Sequence, residues 1–162
     1  MSAAYDGILA LLEEQMLIYE DLLAISEIKQ NELVKGSLEA LDSLTRREES
    51  LVYQAGRLEE ERFRRTKEIT EAIGLTTDAS INEVFQSASK KQQDRMEDLR
   101  GRLSGTLGKL EKINHENMSL LQQTLRMLNY TMETIAQEDK ITYSPDEGKM
   151  GTQKSLLLDR RI

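Results

Sequence analysis

The sequence predicts an all-α protein: an elongated antiparallel helical bundle, built as a coiled-coil hairpin with a third long helix and a flexible C-terminal tail. Three observations carry this. The single proline is Pro145, so residues 1–144 contain no proline to break a helix. Apolar residues recur at spacings of three and four over long stretches. The balance of 38% hydrophobic to 31% charged residues, with 4% aromatics and no Trp, suits helices that bury one stripe rather than a thick aromatic core. The length of 162 residues fits one domain, expected over residues 1–137, followed by a tail at 138–162.

The first helix is expected over about 5–34. Leu9, Leu12, Met16, Tyr19 and Leu23 form a heptad-like seam that continues through Ser26 and Gln30 to Leu33. Leu11, Ile18, Leu22 and Ile25 form an adjacent strip. Two strips predict two neighbours. Lys35-Gly36-Ser37 interrupts the pattern, with Gly as a C-cap and Ser as an N-cap, which predicts an antiparallel hairpin. The second helix is expected over about 38–73, on Leu41, Leu44, Glu48, Leu51, Ala55, Leu58, Arg62, Arg65, Ile69 and Ala72. Its polar seam members, Glu48, Arg62 and Arg65, are expected to be partly open to water. Glu60/Arg64 and Glu61/Arg65 are i,i+4 pairs, each worth about 0.2–0.5 kcal/mol to a helix.

Residues 74–80 read as a connector. Ser80 and Glu83 make a capping box ahead of a short helix at about 80–87. A third long helix is expected over about 89–136, with a seam from Met96, Leu99 and Leu103 through Thr106, Leu110, Ile113 and Asn117 to Leu120, Thr124, Met127 and Thr131. Gly101, Gly105 and Gly108 share one face of it and predict either close helix packing or a weak point where the helix bends. Past residue 138 the periodicity stops, and Thr142 to Gly148 carry turn chemistry.

Composition excludes much. There is no Cys and one His, His115, so disulfide frameworks, thiolate metal sites and two-histidine metal motifs are out, and no metal or cofactor is expected. The net charge of −7 does not favour nucleic acid or an anionic membrane. The acidity concentrates at the start, where residues 1–34 carry Asp6, Glu13, Glu14, Glu20, Asp21, Glu27 and Glu32 against Lys29 alone. No apolar run approaches the roughly 20 residues of a membrane span, and the N-terminus lacks a basic leader, so a soluble cytoplasmic protein is expected, with no direct membrane insertion. Residues 148–155 resemble a phosphate loop only superficially, since Gln153 stands where the second Gly belongs. No catalytic constellation is expected.

What remains is a binding surface made of helix. After residue 120 a second apolar strip appears on the third helix: Leu121, Leu125, Leu128, Met132 and Ile135, with Met118 and Met127 nearby. Thioethers and leucines at this spacing suit adaptable contact with a partner helix.

At this point the chain resembles the FlgN family of flagellar export chaperones. The N-terminal half carries its loose pattern in Tyr19, Leu22-Leu23, Lys29, Leu33-Val34, Leu41, Glu48, Leu51, Leu58-Glu59 and Arg62. The C-terminal half has Asn114-His115-Glu116-Asn117-Met118-Ser119-Leu120-Leu121, similar to the family's Asn-x-x-Asn-x-x-Leu-Leu. Thr142-Tyr143 with Gly148 resembles a further family motif, with one extra residue before the Gly. The resemblance implies a non-enzymatic chaperone. It would bind the C-terminal helices of flagellar hook-associated proteins, prevent their premature assembly, and deliver them to the cytoplasmic domain of the type III export gate membrane protein. Substrate contacts would fall on Asn117, Met118, Leu121, Leu125, Leu128, Met132 and Ile135, with a structural role in helix-to-helix hydrogen bonds as the alternative for Asn114 and Asn117, and gate contact on Tyr143. The competing reading is a self-associating coiled-coil scaffold that uses the same seams to form a homodimer.

Overall fold

Among the described residues four helices follow in order: α1 (Ser2–Lys35), α2 (Leu38–Ala72), α3 (Ile81–Phe85) and α4 (Lys90–Thr142). The structure is a computed structural model and describes the backbone of residues 1–142 and the side chains of residues 1–138. Two compact units divide the chain, Met1–Leu121 and Gln122–Ile162.

In the first unit α1 is the shared helix. Its partners are fixed by polar contacts whose numbering gives their direction. Lys29 Nζ donates to Glu48 Oε2 at 2.7 Å and Gln15 Nε2 to Glu59 Oε2 at 2.9 Å, so α2 runs antiparallel to α1. Gln92 meets Ser2, Arg95 meets Glu13, Arg102 meets Glu20 and Gln30 meets Glu116, so α4 runs parallel to α1. Both predicted α1 strips are accordingly covered: Leu9, Leu12, Met16 and Leu33 from one, Leu11, Leu22 and Ile25 from the other.

The hairpin closes as the sequence expects at one position and differently at the next. Gly36 adopts φ 74, the left-handed conformation that glycine takes without a Cβ penalty, and its N–H returns to the α1 carbonyls. Ser37 stands at the α2 N-cap in extended conformation but its hydroxyl makes no capping bond.

The main core lies at the other end of α1. Tyr5, Ile8, Leu9 and Leu12 pack with Ile69 of α2, Val84 and Phe85 of α3, and Met96 and Leu99 of α4. Each such apolar side chain contributes about 1.5–3 kcal/mol on burial. The two aromatics meet edge to face, with ring centroids 5.1 Å apart, and Tyr5 Oη donates to the Val84 carbonyl at 3.2 Å. The short α3 is set by its predicted capping box: Glu83 N–H donates to Ser80 Oγ at 3.3 Å, and Ser80 N–H donates to the Glu83 carboxylate at 2.6 Å. A second box opens α4, where Ser89 N–H donates to Gln92 Oε1 and Gln92 N–H to Ser89 Oγ. Gln92 Nε2 then donates to the Ser2 carbonyl and to Asp6 Oδ1, tying the start of α4 to the start of α1.

The polar seam members of α2 are half-buried. Glu48 pairs across to Lys29, while Arg62 turns back onto Glu59 of its own helix, Nε donating at 3.0 Å. Glu61 accepts from Arg65 as predicted, but Arg64 pairs with Glu61 and Glu68 rather than with Glu60. The exposed pairs among these, Arg62 with Glu59 and Arg64 with Glu61 and Glu68, contribute little individually, about 0–1 kcal/mol.

Three carboxyls in this unit are held below their ordinary value of 4.5: Glu59 by its bond from Arg62, Glu61 by Arg64 and Arg65, and Glu83 by the Ser80 backbone and hydroxyl. A carboxyl with a lowered folded pKa stabilises the fold above its unfolded pKa, and that contribution is lost as pH falls through the folded one. Burial, with Glu59 nearby, pushes the Tyr19 phenol up, so its contribution is lost on the alkaline side. The thermal midpoint is therefore expected to stay flat from neutral pH to about 5, fall below it, and fall again above about pH 10. Scanning calorimetry from about pH 3 to about pH 11 reads both limbs.

α4 is unbroken through its three glycines. A Cβ built at Gly101, Gly105 or Gly108 meets nothing within 4 Å, so no close helix packing within the chain requires them. Replacing all three by Ala is expected to raise stability by about 1.5–3 kcal/mol, through helix propensity and a less flexible unfolded chain. Chemical denaturation checks this. A loss of stability would mean that these positions need a backbone other than straight helix.

Candidate functional site

The site is best built along α4, from where it is covered to where it is not. Met96, Leu99, Thr106, Leu110, Ile113 and Asn117 are buried, so the predicted seam holds through Asn117. The Asn-x-x-Asn stretch is part of that cover. Ser26 of α1, which is fully buried, donates through Oγ to Asn114 Oδ1 at 3.2 Å. Asn117 Nδ2 donates to the Ser26 carbonyl at 2.9 Å, and Gln30 Nε2 donates to Glu116 at 2.9 Å. These bonds fix the register of α4 against α1 at the last turns before α1 ends at Lys35. Asn117 Oδ1 is buried without a hydrogen-bond partner among the described residues.

Leu120, Leu121 and Thr124 are half-buried. In the second unit the large apolar side chains through residue 138 are exposed: Leu125 at 51%, Leu128 at 41%, Met132 at 47% and Ile135 at 53%, with Met127 and Tyr130 still more open. Together with Leu121 they follow spacings of 4, 3, 4 and 3, which keeps them on one side of an α-helix. The strip carries few competing charges. Residues 122–138 hold only Arg126, Glu133 and Glu138 as residues charged at neutral pH. The Thr131 and Thr134 hydroxyls are turned inward, donating to the Met127 and Tyr130 carbonyls one turn back at 2.9 Å. The face is therefore apolar and weakly charged, and what it can do chemically is exclude water against another apolar surface.

In the second unit the structure thus leaves Leu125, Leu128, Met132 and Ile135 as an exposed strip, while Leu121, in the first unit, is half-buried. Met118 is exposed at 56% one turn earlier. Asn117 is set apart from them, turned into the joint with α1. Tyr143 lies outside the described residues. Tyr130, 73% exposed, belongs to the same segment and escaped the sequence reading. The available signal was a lone aromatic inside an apolar helix stretch.

Elsewhere the described residues offer open grooves: one between α1 and α2 lined by Asp21, Ile25, Ile28, Arg47 and Leu51, another lined by Arg62, Phe63, Thr66, Thr77 and Ile81. No group of three or more metal-ligating side chains occurs among the described residues. No helix among them is long and apolar enough to cross a membrane.

A protein of Bacillus subtilis (strain 168), named uncharacterized protein YvyG, is 24% identical over 139 residues, which cover 85% of each chain. No solved structure matches. The family model described as FlgN protein matches residues 1–150, so it spans the register joint at Asn114 and Asn117 and the whole exposed strip. A match over that much of the sequence places the chain in the FlgN family, the family of flagellar export chaperones.

Proposed function

We propose that the strip Leu121, Leu125, Leu128, Met132 and Ile135, with Met118 at its edge, captures the C-terminal helices of flagellar hook-associated proteins in the cytoplasm. The observation that carries this is the exposure of four consecutive strip members, Leu125 to Ile135, in a chain of a chaperone family. An amphipathic terminus from a substrate would fold against the strip and bury both apolar faces at once. Covering those termini keeps the substrate from assembling early. The capture is non-covalent and uses no cofactor. Asn117, whose side chain is held by α1, acts as a positioning residue: it fixes the helix that presents the strip. Tyr143 supplies the contact with the cytoplasmic domain of the export gate, and the chaperone delivers its cargo there for type III export.

Calorimetric titration with the C-terminal segments of the same organism's hook-associated proteins tests this. Binding near micromolar or tighter, with a negative heat-capacity change, is the expected result. The absence of heat and of co-elution would overturn it. A second copy of the chain is the competing occupant of the strip, and a mass that doubles with concentration in light scattering would favour that scaffold reading.

A further inference from the structure

The exposed strip faces a chemical counterpart in the chain's own sequence. Residues 155–162 read Ser-Leu-Leu-Leu-Asp-Arg-Arg-Ile, four large apolar residues in an otherwise polar stretch. We propose that this segment docks in cis on the Leu125–Ile135 face of α4 and competes there with substrate. This rests on the assignment of that face to substrate binding.

Reach permits it. From Thr142, the last residue of α4, back to Leu125 is 17 residues of helix, about 26 Å at 1.5 Å per residue. From Thr142 forward to Leu156 is 14 residues, which span up to about 46 Å when extended. The intervening sequence carries Pro145, Gly148 and Gly151, residues suited to reversing a chain. Charge agrees in sign. Residues 149–162 hold Lys149, Lys154, Arg160 and Arg161 against Asp159, a net of +3, whereas residues 122–138 hold Glu133 and Glu138 against Arg126, a net of −1. Tethering supplies the remainder. A linker this short holds the segment at an effective concentration of order millimolar, so even a weak contact is occupied most of the time. A second copy of the chain, free in solution at micromolar concentration, has no such advantage. Occupancy in cis covers the leucines between rounds of capture, and a substrate terminus must displace a weak occupant rather than meet bare apolar surface.

Two measurements on the full chain test this. The first compares the wild type with a variant carrying Leu156→Ser, Leu157→Ser and Leu158→Ser, each titrated with a synthetic C-terminal segment of a hook-associated protein. Removing an occupant that fills the face about 80–90% of the time raises apparent affinity about five- to tenfold. The second places a photoreactive phenylalanine analogue at position 128 and maps the cross-link. The expected product joins position 128 to residues 155–162 within one chain, at a yield independent of protein concentration. Equal affinities with no intrachain cross-link would overturn the inference while leaving substrate capture intact. A cross-link whose yield climbs with concentration would overturn it in favour of a second copy. An intrachain cross-link in a chain that does not bind the synthetic segment, with or without its leucines 156–158, would uphold the docking and sink the substrate assignment instead.

Discussion

Replacing Leu125 and Leu128 by Asp in one chain is expected to abolish capture of hook-associated C-terminal segments, with a loss of about a hundredfold or more, and to leave the fold intact. Both halves follow from where the residues sit. Leu125 and Leu128 are 51% and 41% exposed, neighbours on the central turns of the strip. A partner helix that covers them desolvates both, and truncating such an anchor costs roughly 2 kcal/mol or more. Two of them together exceed the 2.7 kcal/mol or so that a hundredfold change requires. A carboxylate in their place adds the cost of burying charge against an apolar face. Folding is affected little, because substitutions at exposed positions away from caps and cores stay within about 0.5 kcal/mol. Calorimetric titration and a thermal melt on the same sample read the two quantities separately. Unchanged affinity would move the substrate site off this face, and a collapsed melting temperature would show that the strip is packed in solution.

How much of this was legible in the sequence depends on what each feature needs. The two strips of α1 were legible because burial on two sides leaves two periodic rows. Gly36 and the Ser80/Glu83 box were legible because their chemistry is local and complete within four residues. Ser89/Gln92 has the same form and was equally readable. What escaped was whatever depends on a choice between near-equal partners. Arg64 reaches Glu61 at i−3 and Glu68 at i+4 rather than Glu60, a choice worth a few tenths of a kcal/mol that side-chain rotamers settle. Ser37 sits at the cap position, yet its hydroxyl makes no capping bond. The glycines of α4 presented two readings, and the open space around them removes packing within the chain. The candidate site divides in the same way. Apolar periodicity runs from Met96 to Ile135 without any mark at the point where burial stops. The last buried seam member is Asn117, where Ser26 and Gln30 of α1 bond Asn114, Asn117 and Glu116. The sequence left Asn117 between two roles, a substrate contact and a hydrogen bond between helices, because a polar residue in a seam looks alike in both, and its bond to the Ser26 carbonyl is of the second kind.

Phe85→Ala is expected to cost the packed unit about 3–4 kcal/mol, the largest single loss of stability foreseen for this chain. Phe85 is 3% exposed and closes the core where α1, α2, α3 and α4 all contribute. Its ring meets Tyr5, and the carbonyl of its neighbour Val84 receives the Tyr5 hydroxyl. Truncation leaves a cavity among Ile8, Leu9, Ile69 and Met96, side chains anchored on three long helices that have little freedom to collapse inward. α3 is five residues long, too short to persist by its own hydrogen bonds, so it is held by its cap and by the burial of Val84 and Phe85. Losing the ring therefore loosens the connector as well as the core. The melting temperature is expected to drop by about 10 °C or more. A drop under about 1 kcal/mol in chemical denaturation would mean that α3 lies on the core without closing it. Below the new melting temperature the variant should still bind hook-associated segments with wild-type affinity, since Leu125, Leu128, Met132 and Ile135 belong to a different unit of the chain from the residues it disturbs. A parallel loss of affinity would show that the strip depends on the far end of α1 for its presentation.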